Sequence, residues 1–409
     1  MKRTVARNLD LLFTGQFCSQ IGDRFYALAL AFWVLKATGS PARMGIVLFA
    51  SMAPAILLGF VLGGVLDRWD RKRILIAADI VRGVAIVGIT VIYYAGMLNL
   101  TAILIVQVIL SAAAAFFNPT ASAILPQIVA KDRLARSNAL SQLLSGSANI
   151  LGPILGGLAV AWCGYAFVFL VNAASFLLSA ALAAGMRLPG AVAADRSASA
   201  GPALAAAYRF LWKDRRLLAI LGIVAVIHFF VGSISVLLPV LAGALAGDGA
   251  RNLGYLETGV GIGSVLCAAA LHRVKLNGRE VRVMFGGIGG IGAAMAATGA
   301  LSLAGVASLP PYLMALPALS AAILAVATCY AALVQKAVEP AVAGGVFSIL
   351  GSVGNLSIPL ATLTFGFLLE RTALGVVALG CGGAIALIGC MLFFVYSPLG
   401  RSQIKEENY

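Results

Sequence analysis

Gly63–Arg73, with the sequence GGVLDRWDRKR, is a dense cluster of charge between two long apolar runs. Asp67, Arg68, Asp70, Arg71, Lys72 and Arg73 crowd together in a chain of which only 11% is charged. Ionised groups so concentrated stay outside hydrocarbon, so the stretch is expected to be a loop at a membrane surface. Its excess of Arg and Lys places that loop on the cytoplasmic side, because basic residues in short loops set the orientation of the flanking helices.

The composition agrees. Of 409 residues, 61% are hydrophobic, against about half in soluble domains, where about a quarter of residues are charged. The chain therefore reads as a polytopic membrane protein. A net charge of +14 would suggest nucleic-acid binding in a soluble protein, but here the basic residues fall in loops and report topology. Cys18, Cys163, Cys267, Cys329, Cys381 and Cys390 are scattered through apolar runs with no CxxC pair. Neither a disulfide framework nor a metal site is indicated. The opening MKRTVARNLDLLFTGQF has a basic flank, but the run that follows holds Asp23 and Arg24 and lacks a small-residue cleavage site. It is expected to remain as the first span.

A helix needs about 20 apolar residues to cross about 30 Å of hydrocarbon. Counting outward from the charged loop gives twelve spans, at 10–36, 43–66, 74–96, 100–123, 138–161, 164–186, 216–246, 251–274, 281–304, 309–335, 343–369 and 373–397. Basic residues gather in alternate loops, which puts both termini in the cytoplasm. The expected organisation is all-α: a first half over 1–186, a linker over 187–215 and a second half over 216–409. The end of the linker, with Tyr208, Phe210, Leu211 and Trp212 among basic residues, suits a surface helix. The halves echo each other, since Asn149 and Pro153 in span five match Asn355 and Pro359 in span eleven. Parallel repeats of this kind build many secondary transporters.

Within the spans, polar residues are the informative ones. Asp23 and Arg24 lie near the middle of span one, where a charged side chain costs at least about 2.5 kcal/mol and is functional by default. Adjacent on a helix, they point about 100° apart, so each needs a partner elsewhere. Gln16, Gln20 and Asp23 share a stripe. A buried ion pair between helices is the structural alternative. In span five Asn138, Gln142, Ser145 and Asn149 form a second stripe, continued by Gly152, Pro153, Gly156 and Gly157. The small residues also suit close helix packing. Span four offers Gln107, Phe116, Phe117 and Asn118 as a surface of amide and aromatic groups. His228 in span seven and Glu257 in span eight are either proton-handling groups or ordinary packed and capping residues. GGIGGIG, Gly286–Gly292, satisfies G-x-G-x-x-G, but it follows no strand, so a dinucleotide site is not expected.

The spacing of Gly63, Asp67, Arg68, Arg71 and Lys72 resembles the loop 2-3 signature of major facilitator superfamily transporters, G-x-x-x-D-R-x-G-R-K, with Asp70 in place of the usual Gly. The GPxxGG run from Gly152 resembles the span-five signature of the antiporter branch, with Ala148 where that signature has another Gly. GQFCSQIGDRF, LDRWDRKRILIAADIVRG, FFNPTASAILPQIV and GGVFSILGSVGNLSIPL extend the likeness to the drug-exporting branch that includes macrolide-efflux and enterobactin-exporter proteins. Span four lacks the arginine that many drug antiporters carry there, so either Arg24 supplies the cation from span one or the coupling network differs from theirs.

This resemblance implies two six-helix halves, alternating access and export of a lipophilic drug or similar small molecule in exchange for protons. A siderophore or other metabolite is the alternative cargo, and a membrane enzyme or transport-dead sensor the alternative class. Under that mechanism the ionisable residues within the spans, Asp23, Arg24, Glu257 and His228, are the expected proton-coupling groups. Substrate contact falls to Gln16, Gln20, Gln107, Phe116, Phe117, Asn118, Gln142, Asn149 and Asn355. A conformational latch is expected at Gly63, Asp67, Arg68, Arg71 and Lys72, and helix packing at Gly152, Pro153, Gly156 and Gly157. No ATP-binding loop of the G-x-x-x-x-G-K-[ST] type occurs and no cofactor is expected. The expected surroundings are a bacterial cytoplasmic membrane, with a small molecule, protons and lipid as partners, and a monomer suffices.

Overall fold

In hydrocarbon no water can satisfy backbone N–H and C=O groups, so the long apolar runs must bond internally as helices. The computed structural model describes residues 2–62, 69–129, 133–187, 209–212, 215–273, 278–338 and 340–396, and among them there is no strand. The charged loop lies partly outside the described residues: Gly63, Asp67 and Arg68 are not among them, whereas Arg71 and Lys72 are. Clustering of contacts divides the chain into two compact units, Met1–Ala198 and Ser199–Tyr409.

The first unit contains α1 (Lys2–Thr38), α2 (Pro41–Leu62), α3 (Arg71–Tyr94), α4 (Leu100–Ile128) and α5 (Leu134–Gly185). The two spans expected at 138–161 and 164–186 are both in α5. Its 52 residues are broken at Gly164, whose backbone has φ 80° and ψ 174°. Only glycine takes up such a positive φ without strain. The break turns the helix back, because both arms meet α1: Gly152 and Gly156 lie against Arg24 and Phe25, while Ser175 and Ser179 lie against Gly22 and Gly15. A side chain at Gly156 would come within 3.0 Å of the Phe25 carbonyl oxygen. α3 packs on α4 and α5, and α2 on α4. Leu12, Leu75, Phe117, Ile124 and Met186 share a buried cluster.

The second unit contains α6 (Arg215–Gly232), α7 (Ile234–Ala244), α8 (Gly249–Arg273), α9 (Glu280–Leu303), α10 (Pro310–Ala337), α11 (Pro340–Arg371) and α12 (Leu374–Tyr396). The single helix expected at 216–246 is interrupted at Ser233, so α6 and α7 together make one crossing, Leu221–Ala244. α9 packs on α10 and α12, α8 on α10, and α6 on α11. Residues 188–208 of the linker lie outside the described residues. At its end Leu211 is buried against Val334, Val338 and Val346, while Trp212 is exposed.

Among the described residues, ten helices are long and apolar enough to cross a membrane. The count falls below twelve for two reasons. Both arms of α5 count as one helix, and α1 is not among the ten because polar and charged residues interrupt its apolar run.

Candidate functional site

The first unit carries an ion pair in its interior. Arg82 Nη1 lies 3.6 Å from Asp79 Oδ1 one turn earlier on α3, and the two side chains are only 4% and 0% exposed. Ser179 of α5 faces the Asp79 carboxylate, and Asp23 of α1 interacts electrostatically with Arg82. The guanidinium carbon sits 4.5 Å from the ring centroid of Phe117 on α4 and 5.1 Å from that of Phe176 on α5. A cation over aromatic faces is attracted by their quadrupoles. Nε and Nη2 of Arg82 have no hydrogen-bond partner among the described residues, so the pair and the rings carry the compensation. One carboxylate is thus paired with an enclosed guanidinium, and a second lies within its electrostatic reach.

One turn beyond Asp23, Tyr26 is buried and its hydroxyl donates to Gln107 Oε1 on α4 at 3.1 Å. Its ring makes an edge contact with Phe169 at 5.3 Å. Gly22 holds α1 close to α5, for a Cβ there would meet Asn172 Oδ1 at 2.7 Å. The absent side chain on one face of α1 thereby positions Asp23 and Tyr26 on the next.

The remaining expected residues are dispersed. Arg24 is exposed, with its Cβ against Gly152. Gln16 and Gln20 are half-buried. Phe116 is half-buried and stacks on Trp69 with centroids 6.2 Å apart, whereas Phe117 turns inward to Arg82. Asn118, Gln142, Asn149 and Asn355 are exposed. Pro153 is half-buried and Gly157 buried. In the second unit, Glu257 is half-buried on α8, and His228 Nδ1 donates to the Val224 carbonyl at 2.8 Å.

The described end of the charged loop fastens helix ends. Arg71 Nη1 donates to the Ala123 carbonyl of α4 at 2.9 Å, and Lys72 Nζ to the Met186 carbonyl just beyond α5 at 2.8 Å. Asp70 caps α3, its side chain accepting from the backbone N–H groups of Lys72 at 2.9 Å and Arg73 at 3.3 Å. An Asp in place of the usual Gly therefore serves as a helix N-cap. Near the same end, Asn8 binds the Arg187 backbone twice, donating at 2.8 Å and accepting at 3.0 Å.

Asp79 and Arg82 are the residues that sequence reasoning left without a role. Their signal was present in ADIVRG, two opposite charges one turn apart inside an apolar span.

The model of the major facilitator superfamily matches residues 12–362. The chain belongs to that superfamily. It is an integral membrane transporter with helical spans, and the two relatives that follow are bacterial. The uncharacterized MFS-type transporter YfiS of Bacillus subtilis (strain 168) is 27% identical over all of this chain and 97% of its own length. Macrolide efflux protein A of Streptococcus pyogenes is 21% identical over 88% of this chain and 89% of its own. The crystal structure of the nucleoside transporter NupG, 14% identical, covers 95% of this chain and 99% of that one with a TM-score of 0.77. At that identity the likeness shows the fold alone.

Proposed function

We propose that this transporter exports a lipophilic small molecule in exchange for protons by alternating access, with Asp23 as the proton-carrying group and Asp79 and Arg82 as its electrostatic setting. The observation that carries the reading is an enclosed Asp79–Arg82 ion pair with a second carboxylate, Asp23, within electrostatic reach of its guanidinium. With both acids ionised the cluster balances only through Arg24, the exposed cation that also faces half-buried Asp23. Once Arg24 turns away, one negative charge is left, and one bound proton removes it. Asp79 is held by Arg82 on its own helix, so Asp23, on another helix and beside exposed Arg24, is the carboxyl whose proton can change with conformation. The efflux activity in the name of a full-length relative supports outward movement of cargo. Arg71 and Lys72, bonded to the ends of two other helices, suit a latch that favours one conformation.

Proteoliposomes test this reading. A labelled macrolide and a labelled lipophilic cation are presented with and without an imposed pH gradient. The expected result is accumulation of at least one of them against its gradient, abolished by a protonophore. Movement indifferent to the proton gradient in both directions would leave a facilitator or a carrier coupled to another ion.

A further inference from the structure

From the structure we infer that the C-terminal unit carries a site for an anionic phospholipid, with one acyl chain in an apolar cavity and the headgroup held by basic residues at the membrane face. In the repeat that aligns Asn149 with Asn355, Gly15 and Gly22 of α1 fall on Leu221 and His228 of α6. The two glycines let α1 seat against Ser179 and Ser175 on the second arm of α5. Leu221 and His228 are bulkier, and α6 packs on α11 instead, with the His228 ring against Gly354, while α9 packs on α10 and α12. A half-open cavity of about 390 Å³ is left between α6 and the α9–α10 pair. This is far larger than a packing void and lies within the range of small-molecule pockets.

The wall selects the tail. Ile227, Phe285, Ile288, Ile323 and Val326 are typical of it. The His228 ring lies against α11 and the Tyr330 hydroxyl is closed off, so the deep part of the cavity suits hydrocarbon and gives a charged head no partner. The rim selects the head. From the middle of α9 and α10 the cavity runs to Val281, Lys336 and Leu392, near helix ends on one membrane face. Arg279 and Arg282 flank Val281 and are exposed, as is Arg273 at the end of α8 on the same face. Among the described residues at these helix ends, Glu280 is the only acid. It accepts from Lys336 Nζ at 2.8 Å, which uses one of the three donors of that exposed ammonium. A phospholipid of the adjoining leaflet brings its phosphate to this depth, where basic side chains at helix ends attract anionic headgroups. A zwitterionic lipid would fit the cavity equally well, so the charge of the rim sets the preference. The site is separate from the charged cluster of the first unit and does not rest on the direction or coupling of transport.

The test uses the full-length protein in phosphatidylcholine nanodiscs that contain a trace of photoreactive lipid. The probe carries a diazirine at the end of one acyl chain and either a phosphatidylglycerol or a phosphatidylcholine head. No gradient is applied and no transport is measured, so the outcome is independent of the export reading. On photolysis the phosphatidylglycerol probe should label cavity residues within 223–231, 281–291 or 323–333 about fivefold or more above the phosphatidylcholine probe. Replacing both Arg279→Gln and Arg282→Gln should bring the two probes within about twofold of each other. Ile323→Trp, which fills the cavity, should remove the cavity labels of both. Equal labelling of the cavity by the two probes in wild type, a preference untouched by the double Arg substitution, or labels confined to residues outside the cavity overturns the proposal. Should Ile323→Trp fail to fold, competition on wild-type protein decides. Cavity labels suppressed by excess unlabelled phosphatidylglycerol support the site. Suppression by pyrene but not by phosphatidylglycerol marks a pocket for lipophilic cargo and overturns it.

Discussion

The interior of the N-terminal unit encloses an ion pair, while the corresponding positions of the C-terminal unit line an apolar cavity. Asn149 and Asn355 stand 206 positions apart, as do Pro153 and Pro359. The same offset carries Asp79 to Phe285, Arg82 to Ile288 and Phe117 to Ile323, all three of which line the cavity. It also carries Gly22 to His228 and Tyr26 to Gly232. Glycines admit close helix contacts in both: in the first unit glycines of α5 receive Arg24 and Phe25 of α1, and in the second Gly354 of α11 receives His228 of α6 while Gly232 of α6 receives Ile358 and Ala361 of α11. Duplicated halves can therefore keep one architecture while dividing the chemistry, with ionisable groups in one and apolar volume in the other.

Substitutions that strike one half and spare the other would break or sharpen this contrast. The largest effect is expected from Asp23→Asn. It should abolish accumulation driven by a pH gradient yet leave downhill exchange of cargo, since Asn resembles the protonated acid in shape and neutrality. Proteoliposome uptake in the two modes checks this. Uphill transport by a well-folded Asp23→Asn would move the coupling site away from the charged cluster.

Next comes Arg82→Met, which strands Asp79 as a buried charge and should cost roughly 3–5 kcal/mol. Ile288→Met, at the matching position of the second unit, should cost less than about 1.5 kcal/mol. Adding Asp79→Leu to Arg82→Met should recover much of the loss, because the enclosed pair would then be replaced by apolar groups. Thermal unfolding in one detergent ranks the three variants, and equal losses from Arg82→Met and Ile288→Met would dissolve the contrast between the halves.

A smaller effect is expected from Tyr26→Phe, which leaves the buried Gln107 carbonyl without its donor at a cost of about 1–3 kcal/mol. The smallest should come from Lys72→Met, which loses the bond to the Met186 carbonyl, roughly 1 kcal/mol. Hydrogen exchange at the C-terminal end of α5 should rise in that variant and stay unchanged in the second unit.

Much of the architecture was legible because hydrocarbon imposes simple rules. Apolar length marked the crossings, and the expected boundary between the spans at 138–161 and 164–186 falls where one long helix breaks at Gly164. The site was legible only in part. Asp23 stood out as a charge inside a span, and Gln107 and Phe117 as members of span four, but nothing local said that Tyr26 would bond Gln107 or that Phe117 would cover Arg82. Conversely, Gln142, Asn149 and Asn355 read as one kind of polar position with Gln107, yet they are exposed and Gln107 is buried. The periodicity of a helix tells which residues share a face, not which way the face turns.

The sequence by itself determined that the chain is helical, spans a membrane and repeats its two halves, because each of these follows from local composition: backbone satisfaction, apolar length and an echo of spacing. Only the tertiary structure decided that the Asp79–Arg82 pair lies within electrostatic reach of Asp23, and that the matching space in the second unit is an apolar cavity. Those facts depend on the rotation and depth of one helix against another. They are set by where glycines allow contact, as Gly22 and Gly156 do between α1 and α5, and by side chains far apart along the chain that meet only after the helices have packed.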